Sequence, residues 1–160
     1  MDKVKRILLA EDNPMDVELV LNALGENNLA NEVVVARNGE EALDYLYKRG
    51  AHGMRTDGSP AVVLLDLKMP KVDGLEVLRQ VKGDASLRDI PIVVLTSSRE
   101  ESDMVESYRL GVNAYVVKPV DFRQFVEAVK TLGLFWAVVN EAPSKAGKLT
   151  QGDSFRSDPR

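Results

Sequence analysis

Four apolar runs in this chain each end in a polar residue suited to phosphoryl chemistry. Glu11-Asp12 follow "ILLA", Asp66 follows "VVLL", Thr96 follows "IVVL" and Lys118 follows "AYVV". A buried carboxylate loses several kcal/mol of hydration unless something compensates. Asp66, inside "VVLLDLKMP", must therefore stand at the open end of its strand or beside a cation. Three carboxylates about 5 Å apart repel by roughly 3 kcal/mol per pair at an effective dielectric near 20, and one ammonium offsets only part of that. A small divalent cation offsets more. Mg²⁺ takes one or two carboxylates, keeps several waters and leaves room for phosphate oxygens. The Thr96 hydroxyl and the Lys118 ammonium are the groups needed to hold the oxygens of a transferring phosphoryl group. Asp66 is the acceptor in this scheme, because a carboxylate can attack phosphorus to form an aspartyl phosphate.

The elements that must position these residues alternate along the chain. "KRILLAED" is strand-like, with Ile7 to Ala10 as its buried part. "NPMDVELVLNALG" opens with Asn13 as cap and Pro14 at the first helical position, repeats apolar residues at Val17, Val20, Leu21 and Leu24, and stops at Gly25. The strand "EVVVA" precedes the helix "NGEEALDYLYKRG", with Ala42, Leu43 and Leu46 inward and Gly50 as its stop. "AVVLLD", "IPIVVLTSS" and "NAYVVKP" are further strands, and "DGLEVLRQVKG" and "EESDMVESYRLG" further helices, the latter with Met104, Val105 and Tyr108 on one side. Asp121 caps a last helix, with Gln124 placed to complete a capping box. Continuous Val/Ile/Leu runs fit a parallel sheet covered on both faces. Five such β–α units predict an open, doubly wound α/β domain, and ligands of such sheets bind at the carboxyl ends of the strands. Asp66, Thr96, Lys118 and Glu11-Asp12 all lie there.

Composition narrows the partners. The chain has 160 residues, no cysteine, one histidine and a formal charge of −4. Disulfides, thiolate metal sites and a Cys nucleophile are excluded, and one His cannot make a zinc site. His52 reads as an exposed loop residue. With no long basic run, nucleic acid is not the expected partner. No apolar stretch approaches a membrane span, and the N-terminus has no secretory pattern, so a cytoplasmic protein is expected. The residues from Ser144 are rich in Pro, Gly, Ser and charge. They read as a disordered tail, residues 144–160, behind a folded domain of residues 1–143.

The motifs "LLAEDN", "VLLDLKMPKVDG", "PIVVLTSS" and "NAYVVKPVD" together resemble the receiver domain of two-component response regulators, over about Val4 to Phe135. The resemblance implies a flavodoxin-like (βα)5 fold with strand order 2-1-3-4-5. It implies that Asp66 accepts phosphate from a sensor histidine kinase's phosphohistidine, without being a turnover enzyme. Glu11, Asp12, Asp66 and the backbone carbonyl of Lys68 would ligate Mg²⁺, while Thr96 and Lys118 would bind the phosphate. Glu11 replaces an aspartate common in the family. Tyr115 matches the switch aromatic that turns inward as Thr96 moves to the phosphoryl group, and the bond before Pro119 would be cis. Lys68 and Ser98 fill positions that tune phosphate lifetime.

The residues after the last helix are expected to hold no output domain, so output is expected through protein contacts. The face of helix 4, strand 5 and helix 5 offers a surface for a homodimer or a downstream partner; Phe135 and Trp136 either cap the core beneath helix 5 or, with Phe122 and Phe125, extend that surface. The long loop Arg49 to Pro60 and the ending "LGLFWAVVNEAP" are similar to small receivers that serve phytochrome-type kinases. Pro14 and Met15 lie where the kinase's phosphohistidine helix would approach Asp66. A haloacid-dehalogenase-like phosphatase would need a second aspartate where Lys68 stands. A flavodoxin-type cofactor module would need a phosphate-cradling loop where "EDNPMD" is acidic. A Ser97 or Ser98 nucleophile lacks a base. The remaining alternative is a receiver-like module that binds partners without phosphorylation.

Overall fold

The computed structural model describes residues 6–26, 33–118 and 123. Five strands are seen: β1 (Ile7–Ala10), β2 (Val33–Ala36), β3 (Val62–Leu65), β4 (Ile92–Thr96) and β5 (Ala114–Val117). The helices are α1 (Pro14–Glu26), α2 (Gly39–Tyr47), α3 (Gly74–Gly83) and α4 (Glu101–Leu110), with a short 3-10 helix at Gly50–His52. All neighbouring strands pair parallel, in the order β2-β1-β3-β4-β5. The expected doubly wound topology is therefore present. The last helix, the peptide before Pro119, the aromatic residues Phe122, Phe125, Phe135 and Trp136, and the tail lie outside the described residues.

Strand pleating divides the core into two layers. Ile7 and Leu9 of β1 pack with Val62, Leu64, Val93 and Leu95 against Val17, Val20 and Leu24 of α1. Leu8 and Ala10 face the other way, with Val63, Leu65 and Val94, against α2 and α3. Because both faces are covered, the strands carry apolar residues at every position.

Helix ends follow local chemistry. Asn13 Oδ1 accepts from the Met15 N–H at 2.9 Å, as its cap position requires. Asn38 and Asp73 cap α2 and α3 by accepting from the N–H groups of Glu41 and Glu76. Three details differ from the sequence reading. Helix α2 stops at Lys48, in the left-handed conformation at φ 58°, ahead of the expected Gly50. Leu21 is 38% exposed. In α4 it is Asp103 and Ser107 that are buried, while Val105 and Tyr108 are 56% and 51% exposed.

The loop from Arg49 to Pro60 is held by Arg55. Its guanidinium lies 3.9 Å from the Tyr45 ring centroid and donates to the Tyr45 carbonyl at 2.8 Å and to Asp57 Oδ1 at 2.9 Å. His52 is half-buried, with its ring edge-on to Tyr45, rather than exposed as expected.

Gly74 brings the start of α3 against the end of β3. A Cβ there would collide with the Asp66 carbonyl and lie 2.6 Å from Leu67 Cα. Backbone cannot yield as a side-chain tip can. Gly74→Ala is expected to destabilise the fold by about 1–3 kcal/mol in urea unfolding, as overpacking does.

Candidate functional site

Parallel pairing sets β1, β3, β4 and β5 side by side with their carboxyl ends on one edge; Glu11, Asp66 and Lys118 directly follow their strands, and Thr96 is the last residue of β4. The backbone fixes them: the Asp66 N–H donates to the Ala10 carbonyl at 3.0 Å, and the Lys118 N–H to the Thr96 carbonyl at 2.8 Å. One ligand oxygen from each of Glu11, Asp12 and Asp66 can be chosen so that all lie within 4.8 Å of one another. Glu11 and Asp66 are buried and Asp12 is exposed, which leaves the group open to solvent on one side. Such a set of hard oxygen donors fits Mg²⁺.

Lys118 holds the cluster together. Its Nζ donates to Glu11 Oε1 at 2.7 Å, to Asp16 Oδ2 at 2.8 Å and to Asp66 Oδ2 at 3.3 Å. Asp16 was not singled out in the sequence. Its only signal is that it lies one helical turn beyond Asp12, facing the same strand ends. Burial pushes the Glu11 carboxyl up to about 7; Lys118 opposes this shift, and the Asp66 charge adds to it. The Lys118 ammonium is held well above its ordinary range, since bonds to Asp16 and Glu11 outweigh the burial that acts against it.

Thr96 is fully buried, and its Oγ1 accepts from the Ser98 N–H at 3.3 Å. The Tyr115 hydroxyl donates to the Ser98 carbonyl at 3.2 Å. Thr96 and Tyr115 thus engage the same loop residue from two sides. The Lys68 N–H donates to Asp66 Oδ1 at 3.2 Å, curling the loop after β3 around the carboxylate. The side chains of Lys68 and Ser98 both end on Asp103, at 3.3 and 2.6 Å, a second residue absent from the sequence reading. The Ser98 hydroxyl, and after it Lys68, holds the Asp103 carboxyl below the usual range, against the effect of burial. The structure therefore groups the Glu11, Asp12 and Asp66 carboxylates with the Lys118 ammonium, while Thr96 and Tyr115 meet through Ser98 and Lys68 reaches Asp66 through its N–H. Among the described residues no helix is long and apolar enough to cross a membrane.

Comparison with known proteins agrees with this geometry. Residues 7–130 match the response regulator receiver domain family. The chain is 64% identical to the bacteriophytochrome response regulator AtBRR, whose structure superposes with a TM-score of 0.78 over 88% of this chain and 100% of that one. It is 41% identical to the phosphorylated cyanobacterial phytochrome response regulator RcpA, with a TM-score of 0.71 over 84% of this chain and 94% of that one. It is also 39% identical to the probable methanogenesis regulatory protein FilR2 of Methanothrix harundinacea, over 88% of each chain.

The raised Glu11 pKa fixes a sign for stability. Between its ordinary 4.5 and about 7, the folded protein keeps a proton that the unfolded chain releases. This contribution is complete below about 4.5 and is lost as pH rises through about 7. Metal-free protein is therefore expected to lose on the order of 3 kcal/mol over that window, and Glu11→Gln to flatten the profile, in denaturant titrations with EDTA. Asp66→Ala should raise the melting temperature in EDTA at pH 8 and reduce the stabilisation given by Mg²⁺.

Proposed function

The chain belongs to the response regulator receiver family, and from that premise we propose that Asp66 is its phosphoacceptor, supplied by a sensor histidine kinase of phytochrome type. The observation that carries the reading is the Lys118 ammonium on Asp66, inside a cluster of three carboxylates that fit Mg²⁺. Phosphorylation and magnesium are typical of the family. The likeness to phytochrome response regulators, at 64% and 41% identity, supports the choice of kinase.

In this reading Glu11, Asp12, Asp66 and the Lys68 carbonyl would hold Mg²⁺, which would offset the negative charge that the carboxylates and an incoming phosphoryl group bring to the site. An Asp66 oxygen forms a bond to phosphorus as the P–N bond to the kinase histidine breaks, and the ring nitrogen keeps the electron pair. Lys118, already on Asp66 Oδ2, meets the new negative charge without moving far. The Thr96 hydroxyl is released from the Ser98 N–H and donates to a phosphoryl oxygen. Ser98 then no longer holds Tyr115 in its resting position, and the α4–β5 face changes for a partner protein or a second copy. Water finally hydrolyses the acyl phosphate, so the cycle signals rather than turns over substrate. Pro14 and the 76% exposed Met15 open α1 just after Glu11-Asp12, where a kinase helix would dock.

Incubation with acetyl phosphate and Mg²⁺ should add one phosphoryl group by intact mass. The adduct should be absent with EDTA and in Asp66→Asn. No adduct on the wild type would favour a receiver-like module that binds partners without phosphate. Mg²⁺ affinity, measured by titration, should rise with pH through about 7, because Glu11 must release its proton to bind metal.

A further inference from the structure

We propose that Asp103 is a positioning residue that holds Lys68 and Ser98 before phosphorylation and gives up Lys68 to the phosphoryl group afterwards. The Lys68–Asp103 ion pair then sets how long Asp66 stays phosphorylated and ties that lifetime to the placement of α4. The inference rests on Asp66 being the phosphoacceptor.

The ammonium of Lys68 and the hydroxyl of Ser98 converge on one oxygen, Asp103 Oδ2, at 3.3 and 2.6 Å. Ser98 is bound on its other sides as well. Its N–H donates to Thr96 Oγ1, its carbonyl accepts from the Tyr115 hydroxyl, and its Oγ accepts from the Glu100 N–H at the entrance of α4. One carboxylate thereby connects the loop that carries Asp66 with the residue that engages both Thr96 and Tyr115.

The two partners of Asp103 differ in how easily they leave. The Lys68 side chain is 57% exposed, whereas that of Asp103 is 11% exposed. An ion pair with so exposed a cation is held weakly. A phosphoryl group on Asp66, two residues before Lys68, brings a charge of about −1.5 to −2. The Lys118 ammonium is already shared among Glu11, Asp16 and Asp66. Lys68 therefore exchanges Asp103 for the phosphoryl oxygens, where it shields phosphorus from water. Asp103 is left nearly buried with only the Ser98 hydroxyl of these two partners, which disfavours the resting position of the first turn of α4. By linkage, a partner that prefers displaced α4 frees Lys68 and prolongs the phosphorylated state.

The test follows loss of the phosphoryl group by intact mass after removal of acetyl phosphate, in wild type, Asp103→Asn, Lys68→Gln and the double variant. Asparagine keeps an acceptor for Ser98, so the loop is retained. Asp103→Asn should lengthen the lifetime about two- to fivefold, the range for an exposed pair. Lys68→Gln should shorten it, and the double variant should match Lys68→Gln alone. A structural role for Asp103 would change the lifetime alike in both backgrounds, and that result, or an unchanged lifetime in Asp103→Asn, overturns the proposal. Melting the same four proteins in EDTA without phosphate should show non-additive shifts between positions 68 and 103; additive shifts overturn the resting pair. A wild type that accepts no phosphoryl group overturns the phosphoacceptor reading, and with it the exchange. The EDTA comparison separates that failure from one of the pair itself.

Discussion

One ammonium group at the end of β5 must satisfy three carboxylates brought from distant parts of the chain. Lys118 reaches Asp66 across 52 residues, Asp16 across 102 and Glu11 across 107. Removing such charges from water costs several kcal/mol each, and a buried ion pair often adds little net stability. The arrangement is better understood as a geometric demand. It is met only if β1, β3 and β5 end level with one another and α1 begins directly above β1. The parallel register provides this, pairing Ala10 with Leu65 and Thr96 with Val117. The sheet core is built of close-packed apolar residues on both faces, so the strand ends cannot drift to relieve the repulsion. Burial, with the Asp66 charge added to it, instead leaves Glu11 reluctant to ionise, and the bonds to Asp16 and Glu11 keep Lys118 firmly protonated.

Around this fixed charge cage the loops divide the remaining work. The loop after β3 wraps Asp66 and presents Lys68. The loop after β4 runs through Ser98, which touches Thr96, Tyr115 and Asp103 in turn. At the other end of the strands, Arg55 clamps the Arg49–Pro60 loop onto Tyr45, so that edge of the domain is tied by side-chain contacts to backbone carbonyls. The two ends thus differ: one is clamped through backbone carbonyls, and the other is held by side chains that share partners.

The strand-end residues were legible because each interrupts a continuous apolar run, a one-dimensional pattern that survives without knowledge of the fold. The start of α1 at Asn13 was legible from capping chemistry. Asp16 was hidden, because an acid in the first turn of a helix is expected on dipole grounds alone and draws no notice. Asp103 and Ser107 were hidden for the opposite reason. Polar helix residues are assigned to solvent by default, and here α4 turns them toward the domain. Lys48 adopts a left-handed conformation usually left to glycine, so the nearby Gly50 was the more natural stop. In each case tertiary placement overrode a sound local rule.

The inverted side of α4 has a further consequence. Helix α3 is fastened by Val77, Leu78 and Val81, all fully buried, whereas the buried residues of α4 itself are Asp103 and Ser107. Apolar burial contributes about 25 cal/mol per Å², so α4 receives much less of this anchoring than α3. Free energies of local opening differ across a protein, and elements with few apolar anchors lie at the low end. Helix α4 is thus the described helix with the fewest apolar anchors, and its detachment from the sheet is the one expected to cost least. So weakly anchored a helix is the element of this domain that a small change at the strand ends would displace most readily.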